Sequence, residues 1–479
     1  MPSPTLTIRN LTSNKLHIIQ TTRIPAPAPP KPAPITKSNL TNVSNLGHHV
    51  THNFTSLLRR TPVTALIPVP TPTSSAIAAA AAAAEVRDIL IIIPPYGKSG
   101  TGMNLDEDTL RFEFETRKVG GGDHIRKFRF EIKFASKLEL QIHPLGDVGD
   151  MSLTGIYHRS RGHLAIVSNA SLESWMGKLR DDTHLGRLSM PGTHNSPTCH
   201  TALPSVRCQA VSVTEQLRNG VRFLDIRVQP GGKELELVHG AFPIALSGKK
   251  LLRDVMNECY AFLDRNRSET IIVSLKREGT GKTNDQSFSK DIKRDVIDKR
   301  SGSWFTEPRI PKLGEARGKC ILFRRYDIDD SLRGDNEGRG HGIDAANWAY
   351  NTPNYTTPSG ICVQDFCEVA ETENINKKVQ YVKEHLERSC EEISVAEREN
   401  RDPPLFVNFL SASNFWKVGC WPDRIAEKIN PQVCEHLAVD HRVENGKAGT
   451  GVVIYDFVGD DGNWAVTKLV VGMNGGLLI

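Results

Sequence analysis

Short apolar runs recur through residues 175–479 at the spacing of parallel strands that alternate with helices, and this periodicity limits the fold to the α/β class. Helical spacing of apolar residues lies between several runs, for example over Leu251 to Arg265 and Ile375 to Glu392. Eight strand-like runs match a TIM barrel. We therefore predict an irregular (β/α)8 TIM barrel over residues 172–479. The runs are Arg187 to Met190, Val221 to Val228, Leu235 to His239, Thr270 to Lys276, Cys320 to Tyr326, Ile361 to Phe366, Leu405 to Leu410 and Val452 to Val458.

The link between the second and third runs makes the predicted barrel irregular. Gln229 to Lys233 is too short for the crossover helix that two neighbouring parallel strands need. A hairpin that turns at Gly231-Gly232 would place His239 beside Leu224 or Asp225. In either arrangement His239 stays near Arg227.

The first part of the chain has a different pattern. Residues 1–168 contain short alternating runs separated by turns, which predict a small antiparallel, sandwich-like β domain. A stretch rich in Pro, Ser and Ala, from about residue 22 to 84, is predicted to be a low-complexity insertion in that domain. The alternating runs are Leu6 to Gln20, Ile89 to Ile93, Leu110 to Thr116, Ile125 to Phe134, Leu138 to Ile142 and Leu164 to Val167.

Composition excludes several classes of protein. The net charge of +5 is too small for a dedicated nucleic-acid binder, but it favours approach to an anionic lipid surface. No apolar stretch is long and uninterrupted enough for a membrane-spanning helix, and no signal-peptide pattern is evident. Nine cysteines without a CxxC pair are typical of reduced thiols. We expect a soluble or peripheral membrane protein. The sequence does not decide its compartment, although it favours an intracellular location.

Polar or charged residues stand at the ends of most barrel runs. Reactive groups of a (β/α)8 enzyme lie at the carboxyl ends of its strands, so these side chains are expected to meet at one rim. Taken singly, each has an ordinary explanation, such as a loop histidine or a rim ion pair, and Asp225 is compatible with a buried structural carboxylate. Their joint occurrence favours a catalytic site. The residues are His194, Arg227, His239, Lys276, Arg324 or Arg325, Asp365 and Asp456.

The order of these motifs resembles the catalytic X domain of phosphatidylinositol-specific phospholipases C, most closely the bacterial, metal-independent branch and its fungal relatives. The similarity runs from about Trp175 to the end of the chain. It implies a phosphoric diester hydrolase that cleaves phosphatidylinositol or a glycosylated form of it, with an inositol 1,2-cyclic phosphate as first product. The stretches that carry it are Pro191 to Ser196, Phe223 to Arg227, Val238 to Gly240 and Glu269 to Lys276.

The resemblance also implies roles for individual residues. His194 matches the general base that takes the proton of the inositol 2-hydroxyl, and Asp456 matches the carboxylate that orients it. His239 matches the general acid that protonates the diacylglycerol oxygen. Arg227 stands where the calcium-dependent branch has a metal ligand, so its guanidinium would hold the phosphate oxygens. Positions that hold inositol hydroxyls are matched by Lys276, Asp365 and one of Arg324 and Arg325.

Two departures from the family pattern bear on the mechanism. The residue after the first histidine is Asn195, where the metal-free branch usually has Asp, and an amide cannot stabilise an imidazolium by charge. Near Asp365 the family often offers a tyrosine to stack on the inositol ring, whereas this chain has Phe366 and Cys367. Arg227 and Lys276 would repel a divalent ion, so we predict neither a metal nor a cofactor.

Two alternatives remain open on the sequence. One is a metal-dependent enzyme of glycerophosphodiesterase type with Asn195, Asp225 and Asp456 around a cation. The other is a catalytically silent barrel that binds inositol phospholipid heads. The expected partners in the leading interpretation are a phosphatidylinositol or glycosyl-phosphatidylinositol lipid and the membrane surface, without nucleic acid.

Overall fold

The strand-like runs form strands in the computed structural model. Of the predicted insertion over residues 22–84, the structure shows that a strand continues to Ile24 and that residues from Ser74 onward begin a helix. Residues 28–73 of the insertion and the predicted turn at Gly231-Gly232 lie outside the described residues. The structure describes residues 4–27, 74–118, 125–169, 171–230, 234–281, 283–443 and 448–477.

Two five-stranded sheets precede the barrel. One has the strand order β4-β1-β10-β9-β7 and the other β3-β2-β5-β6-β8. The pairs are antiparallel except β1 with β10, which run parallel. Apolar side chains of both sheets share one core, in which the Phe112 and Phe130 rings stack at 5.1 Å. The strands are β1 Thr5–Leu11, β2 Asn14–Ile24, β3 Glu85–Ile93, β4 Lys98–Asn104, β5 Thr109–Lys118, β6 Arg126–Ile132, β7 Glu139–Gln141, β8 His143–Pro144, β9 Ser152–His158 and β10 His163–Asn169.

The remaining strands belong to one curled sheet. They are β11 Met190–Thr193, β12 Phe223–Gln229, β13 Glu236–His239, β14 Phe242–Pro243, β15 Ile271–Arg277, β16 Trp304–Phe305, β17 Cys320–Arg325, β18 Ile343–Asp344, β19 Thr352–Thr356, β20 Cys362–Asp365, β21 Phe406–Phe409 and β22 Val452–Tyr455.

Seven of these strands pair in parallel in the order β17-β15-β12-β11-β22-β21-β20. The first and last, β11 and β22, are neighbours, so the two ends of this region meet inside the sheet. Gly192 permits the close approach, because a Cβ at that position would lie 2.9 Å from Ile454 and 3.0 Å from Phe223. The short strands β16 and β18 each pair in parallel with β17, and β19 pairs antiparallel with β20. Among the described residues no ladder joins β18 to β19 or β20, so the barrel is strongly curled but open there.

The predicted third barrel strand is a hairpin arm instead. β13 pairs antiparallel with β12, with Val228 opposite Leu237 and Gln229 opposite Glu236. The hairpin prediction is therefore confirmed, but the expected register is wrong by one or two residues, because this ladder, if continued, would place His239 opposite Ile226 rather than Leu224 or Asp225. The ladder also ends before His239, which pairs with Phe242 of β14. The seven-strand parallel path leaves no place for this run as a barrel strand, because its link to β12 is too short for a crossover.

Amphipathic helices cover the sheet. α3 buries Val255, Met256 and Cys259 against it, and α7 buries Val379, Val382 and Leu386. No helix in the described part of the chain has the length and apolarity to cross a bilayer. The helices are α1 Ser74–Ala82, α2 Val213–Arg218, α3 Leu252–Arg265, α4 Asp285–Ile292, α5 Leu313–Ala316, α6 Asp335–Gly338, α7 Asn374–Arg398, α8 Pro422–Glu435 and α9 Ala465–Gly472.

The first β-sheet packs directly on these outer helices. Leu11, Ile156 and Val167 share a hydrophobic cluster with α8 and α9. Arg9 of β1 donates hydrogen bonds to the backbone carbonyl of His441, and Arg161 pairs with Glu435 of α8 at 3.0 Å. The N-terminal sheets are thus fixed to the helical outside of the barrel.

A buried ion pair fastens the start of β12 to the start of β15. Arg222 and Glu269 are both fully buried, and Glu269 accepts from the guanidinium Nε and Nη2 at 2.9 and 2.7 Å. The remaining donors bond to backbone carbonyls, among them those of Leu217 and Val221 at 2.7 and 2.8 Å. Each nitrogen of the guanidinium donates at least one hydrogen bond. Glu269 is the carboxylate that contacts it and balances its charge.

We predict that Glu269→Ala lowers the free energy of unfolding by about 3–5 kcal/mol, because a buried guanidinium loses its counter-ion. Denaturant unfolding followed by tryptophan fluorescence measures the change. The control is Glu427→Ala, an exposed glutamate of α8, for which the change is expected to stay within about 0.5 kcal/mol. Equal effects of both substitutions would contradict the prediction.

Candidate active site

Strand register brings the predicted site residues to one end of the sheet. Thr193 lies between Leu224 and Tyr455, so His194 and Asp456 leave adjacent strands side by side. On the other flank Arg227 is paired with Lys276, and Lys276 is paired with Arg325, which places three cations in one row across β12, β15 and β17. The residues come from distant parts of the chain, but the parallel ladder aligns them.

The ring of His194 is held from both sides. Its Nδ1 lies 2.8 Å from Asp456 Oδ1, and its Nε2 lies 2.7 Å from the guanidinium Nη2 of Arg227. A guanidinium can only donate, so Nε2 accepts and Nδ1 carries the proton that is donated to Asp456. His194 is thereby in its neutral form, with the Nε2 lone pair directed at Arg227 and the cavity.

Burial and charge both keep this imidazole neutral. Burial, followed by the cations of Arg227 and His239, lowers the pKa of His194 well below its usual value. Burial also raises the pKa of Asp456, whose Oδ2 has no hydrogen-bond partner. The pair is therefore poised to take up a proton when positive charge on His194 can be stabilised.

His239 faces the same cavity from the hairpin. Its ring centroid lies 5.8 Å from that of His194, nearly perpendicular to it. His239 Nδ1 lies 2.7 Å from the carbonyl oxygen of Val206 and donates to it, which leaves Nε2 for a ligand. Burial, followed by the Arg227 charge, lowers the pKa of His239 to about 4. An anionic ligand beside it would raise that pKa again.

Carboxylates balance the row of cations. Arg227 lies 3.3 Å from Asp225 and 3.3 Å from Glu278, and Lys276 Nζ donates to Glu278 at 2.9 Å. Burial opposes the charge of Arg227, but Glu278 and Asp225 raise its pKa above the usual value. Burial likewise opposes the charge of Glu278, and Arg227 and Lys276 lower its pKa below the usual range. Arg227 and Glu278 are therefore both charged at neutral pH.

The structure distinguishes the two neighbouring arginines. Arg325 lies 3.6 Å from Asp225 and 3.8 Å from Asp365, and its guanidinium stacks 3.7 Å above the Trp348 ring. Arg324 lies on the other side of the strand, where it binds the carbonyl of His341 at 2.9 Å and Asp344 at 2.8 Å. Arg325 faces the site, and Arg324 is a structural residue.

Asn195 does not contact the second histidine through a hydrogen bond. Its backbone has a φ of +42° and its N–H donates to Asp225 at 3.2 Å. Its side-chain amide lies 4.0 Å from Cys208 Sγ, which in turn lies 3.7 Å from His239 Nδ1. Cys208 thus stands between the side-chain amide of Asn195 and the ring of His239.

Both carboxylates of the metal-dependent alternative are paired with other side chains. Asp225 faces the guanidinium groups of Arg227 and Arg325, and Asp456 faces His194. A cation between Asp225 and His194 would have to displace Arg227. The donor set therefore fits a guanidinium better than a divalent ion.

One cavity of about 870 Å³ opens onto these groups. Its floor is polar and its sides are aromatic, including Trp348 and Phe366. The cavity lining does not include Asn195, Asp225 or Asp456. Asp225 and Asp456 instead contact residues of the lining, Arg227 and His194. The predicted residues on its surface are His194, Arg227, His239, Lys276, Arg325, Asp365 and Phe366.

Comparison with known proteins shows which family this region resembles. Residues 187–326 match the family model of the phosphatidylinositol-specific phospholipase C X domain. These residues of the chain are therefore similar to that X domain. The matched residues include β11 to β17 and thus the whole cation row, whereas Asp365 and Asp456 lie beyond the matched segment.

The likeness to relatives covers a longer part of the chain than the family model does. The 1-phosphatidylinositol phosphodiesterase of Staphylococcus aureus strain Newman is 26% identical over 317 residues, which cover 64% of this chain and 94% of that protein. The enzyme of the same name from Listeria monocytogenes is 29% identical over 63% of this chain and 86% of its own. A crystal structure of a double mutant of the S. aureus phosphatidylinositol-specific phospholipase C is 25% identical, with a TM-score of 0.51 over 63% of this chain and 97% of its own.

Sequence reasoning missed four residues of the candidate site: Glu278, Cys208, Gln209 and Trp348. Glu278 carried a signal, because a charge two residues after Lys276 on a strand faces the same side. The buried Gln209 donates to the carbonyls of His194 and Tyr455 at 2.7 and 3.1 Å, and so holds two strand ends together. Cys208 and Trp348 lie in loops, where no periodicity marks a side chain as part of the site.

We predict that Arg227→Met moves the titration midpoint of His194 to higher pH, because a nearby cation that disfavours the imidazolium is removed. The change is expected to be about one pH unit or more. Nitrogen-15 NMR of labelled histidines measures it, with His194 assigned by its loss in His194→Gln. Arg277→Met is the control, since Arg277 pairs with Asp285 outside the cluster. An unmoved midpoint in Arg227→Met would contradict this assignment of the charges.

Proposed function

We propose that this chain is a phosphoric diester hydrolase that cleaves phosphatidylinositol-type lipids by attack of the inositol 2-hydroxyl on phosphorus. The observation that carries the proposal is the meeting of two imidazoles and a guanidinium at one cavity, with His194 Nε2 held 2.7 Å from Arg227. General base, general acid and an anion clamp are the groups that a metal-free phosphodiester cleavage needs.

His194 is the proposed general base. The substrate 2-hydroxyl replaces Arg227 as the donor to Nε2 and gives up its proton as its oxygen attacks phosphorus. Asp456 accepts the Nδ1 proton in a hydrogen bond of 2.8 Å and so stabilises the imidazolium that forms. The lowered pKa of His194 leaves the lone pair free at neutral pH.

His239 is the proposed general acid. The bond from phosphorus to the glycerol oxygen breaks as His239 Nε2–H protonates that oxygen, which releases diacylglycerol and leaves an inositol 1,2-cyclic phosphate. The Val206 carbonyl holds the other nitrogen and favours the protonated ring. The phosphate charge raises the pKa of His239 from its low value in the unliganded site, so the acid is charged where substrate is bound.

The row of cations is proposed to bind the phosphate and the inositol ring. Arg227 holds the non-bridging oxygens, and Lys276, Arg325 and Asp365 bind ring hydroxyls. Phe366 offers an aromatic face in place of a tyrosine; its ring packs on Tyr381 at a centroid distance of 5.2 Å. A cavity of about 870 Å³ accommodates an inositol phosphate head with room for a further sugar, so glycosyl-phosphatidylinositol belongs to the proposed substrate class.

Exposed aromatic and aliphatic side chains at the mouth support contact with a membrane. Trp416 lines the cavity with 89% of its surface exposed, and the rings of Phe242 and Phe415 stack at 5.0 Å beside it. Such a patch favours the interfacial region of a bilayer. We propose that this rim touches the lipid surface while the head group enters the cavity.

We also propose that the chain has two domains. Residues 1–168 would form a sandwich-like β domain with the insertion at about residues 22–84, and residues 172–479 the barrel. The shared core of the two five-stranded sheets supports a separate unit.

The activity is tested by incubating the protein with phosphatidylinositol vesicles in EDTA and recording phosphorus NMR spectra. We expect the resonance of a five-membered cyclic phosphodiester. His194→Ala and His239→Ala are each expected to lower kcat by about 100-fold or more, because each removes one proton-transfer group. His143→Ala, on the edge strand β8, is the control.

Three other outcomes would overturn the proposal. Cleavage that requires an added divalent ion would favour the glycerophosphodiesterase alternative. Lipid binding without turnover, unchanged by His239→Ala, would favour a silent barrel. A linear inositol phosphate with no cyclic precursor would exclude attack by the 2-hydroxyl.

Trp416→Ser tests the membrane contact. We expect the apparent affinity for vesicles to fall about tenfold, because an exposed indole contributes on the order of 1–2 kcal/mol at the interface. Turnover of a short-chain, monomeric phosphatidylinositol should change less than twofold, since Trp416 does not touch the reacting atoms. Val86→Ser, at an exposed valine of β3, is the control. Equal losses on vesicles and on monomeric substrate would place Trp416 in head-group binding instead.

A further inference from the structure

His239, the proposed general acid, lies on a hairpin tip beyond the strand ladder that carries it. β13 pairs with β12 only through Glu236 and Leu237, so the ladder ends two residues before His239. The chain then turns back through a two-residue loop into β14, where Phe242 pairs with His239. A general acid must stay within hydrogen-bond reach of the oxygen that it protonates. The position of this tip therefore needs support from outside the hairpin.

An aromatic stack joins the tip to another loop at the cavity mouth. The rings of Phe242 and Phe415 lie 5.0 Å apart at an interplanar angle of 5°, which is a parallel, stacked arrangement. Phe415 belongs to the loop after β21 and lines the cavity, as His239 does. In the strand order β12-β11-β22-β21, two strands separate the hairpin from that loop. The stack thus links loops on either side of the strands that lead to His194 and Asp456.

Phe415 is held in place by contacts that close its own loop. Its carbonyl accepts the indole N–H of Trp421 at 3.0 Å, and the Asn414 N–H donates to the Cys420 carbonyl at 2.9 Å. The Trp416 ring packs edge-on against the Phe415 ring at a centroid distance of 4.9 Å. The loop therefore presents Phe415 as a fixed surface to the hairpin.

Phe242 passes this support to His239, because the two residues face each other across the hairpin. Directly opposed residues of an antiparallel pair lie about 4.5–5.5 Å apart and share one face. Two hydrogen bonds hold the same tip, from Gly240 N–H to Glu278 at 2.8 Å and from His239 Nδ1 to the Val206 carbonyl at 2.7 Å. Glu278 follows β15 and Val206 lies between β11 and α2, so the three contacts tie the tip to three different parts of the barrel.

We propose that the stack of Phe242 on Phe415 positions His239, which makes both phenylalanines positioning residues for the protonation of the leaving oxygen. The catalytic consequence rests on the proposed function. The mechanical link between the stack and the His239 hydrogen bond does not, because it is present without substrate. This role is separate from the membrane contact of the same rim, since it also acts on a substrate that is dissolved as single molecules.

The link is measured by the exchange of the His239 Nδ1 proton with water, followed by NMR of nitrogen-15-labelled histidines and assigned by its loss in His239→Gln. In Phe415→Leu we expect exchange to become about fivefold faster or more, because a tip without the stack opens its bond to Val206 more often. Leu246→Ala is the control, at an exposed leucine three residues after β14, and should leave the rate unchanged. An unchanged rate in Phe415→Leu overturns the inference.

Turnover of short-chain, monomeric phosphatidylinositol provides the second readout. Phe242→Leu and Phe415→Leu are each expected to lower kcat about five- to tenfold and to change KM less than about twofold, because the acid is misplaced while the head-group contacts remain. The double variant should lose no more than either single variant, since both substitutions remove the same contact. Phe242→Tyr keeps a stacking ring and should retain kcat within about twofold.

Two results of the turnover measurement contradict the inference. Additive losses in the double variant would mean that the two rings act through separate contacts, and a change in KM alone would place them in substrate binding. If the unmodified protein releases no cyclic ester, the proposed function fails, and the exchange measurement still decides whether the stack holds His239.

Discussion

The guanidinium of Arg227 organises the whole site. It donates to His194 on one side, and it pairs with Asp225 and Glu278 on the other. A permanently charged, planar donor fixes the tautomer of His194 without a metal ion, since it can only donate. The same group is available to an anionic substrate, which would take over its hydrogen bonds. Arg227 therefore orients the His194 ring and, in the proposed mechanism, also binds the phosphate.

Charge balance explains why so many ionised groups tolerate burial here. Arg227, Lys276 and Arg325 stand in a row, and Glu278, Asp225 and Asp365 lie between or beside them. Each charge is expensive to bury alone, but neighbouring opposite charges and hydrogen bonds offset the cost. The cluster is rigid as a consequence, because moving one member leaves another uncompensated.

Much of the architecture follows from patterns that are local in the chain. Seven of the eight strand-like runs are parallel barrel strands, because continuous apolar runs bounded by turns indicate strands that are buried on both faces. The remaining run, Leu235 to His239, forms a hairpin arm, as the short link before it had indicated. The predicted register was wrong by one or two residues, since the register of a hairpin depends on its loop length and turn type, which the sequence pattern does not fix.

The sequence by itself determined the fold class, the strand ends and the residue types that chemistry needs at those ends. Only the tertiary structure decided which of them meet. It separated Arg325 from Arg324, because neighbouring residues on a strand face opposite sides and sequence alone does not say which side is the cavity. It also added Glu278, which pairs with Arg227 of another strand, and Cys208, which lies beside His239. Electrostatic balance is a property of distances in space, and those distances exist only after the strands have paired.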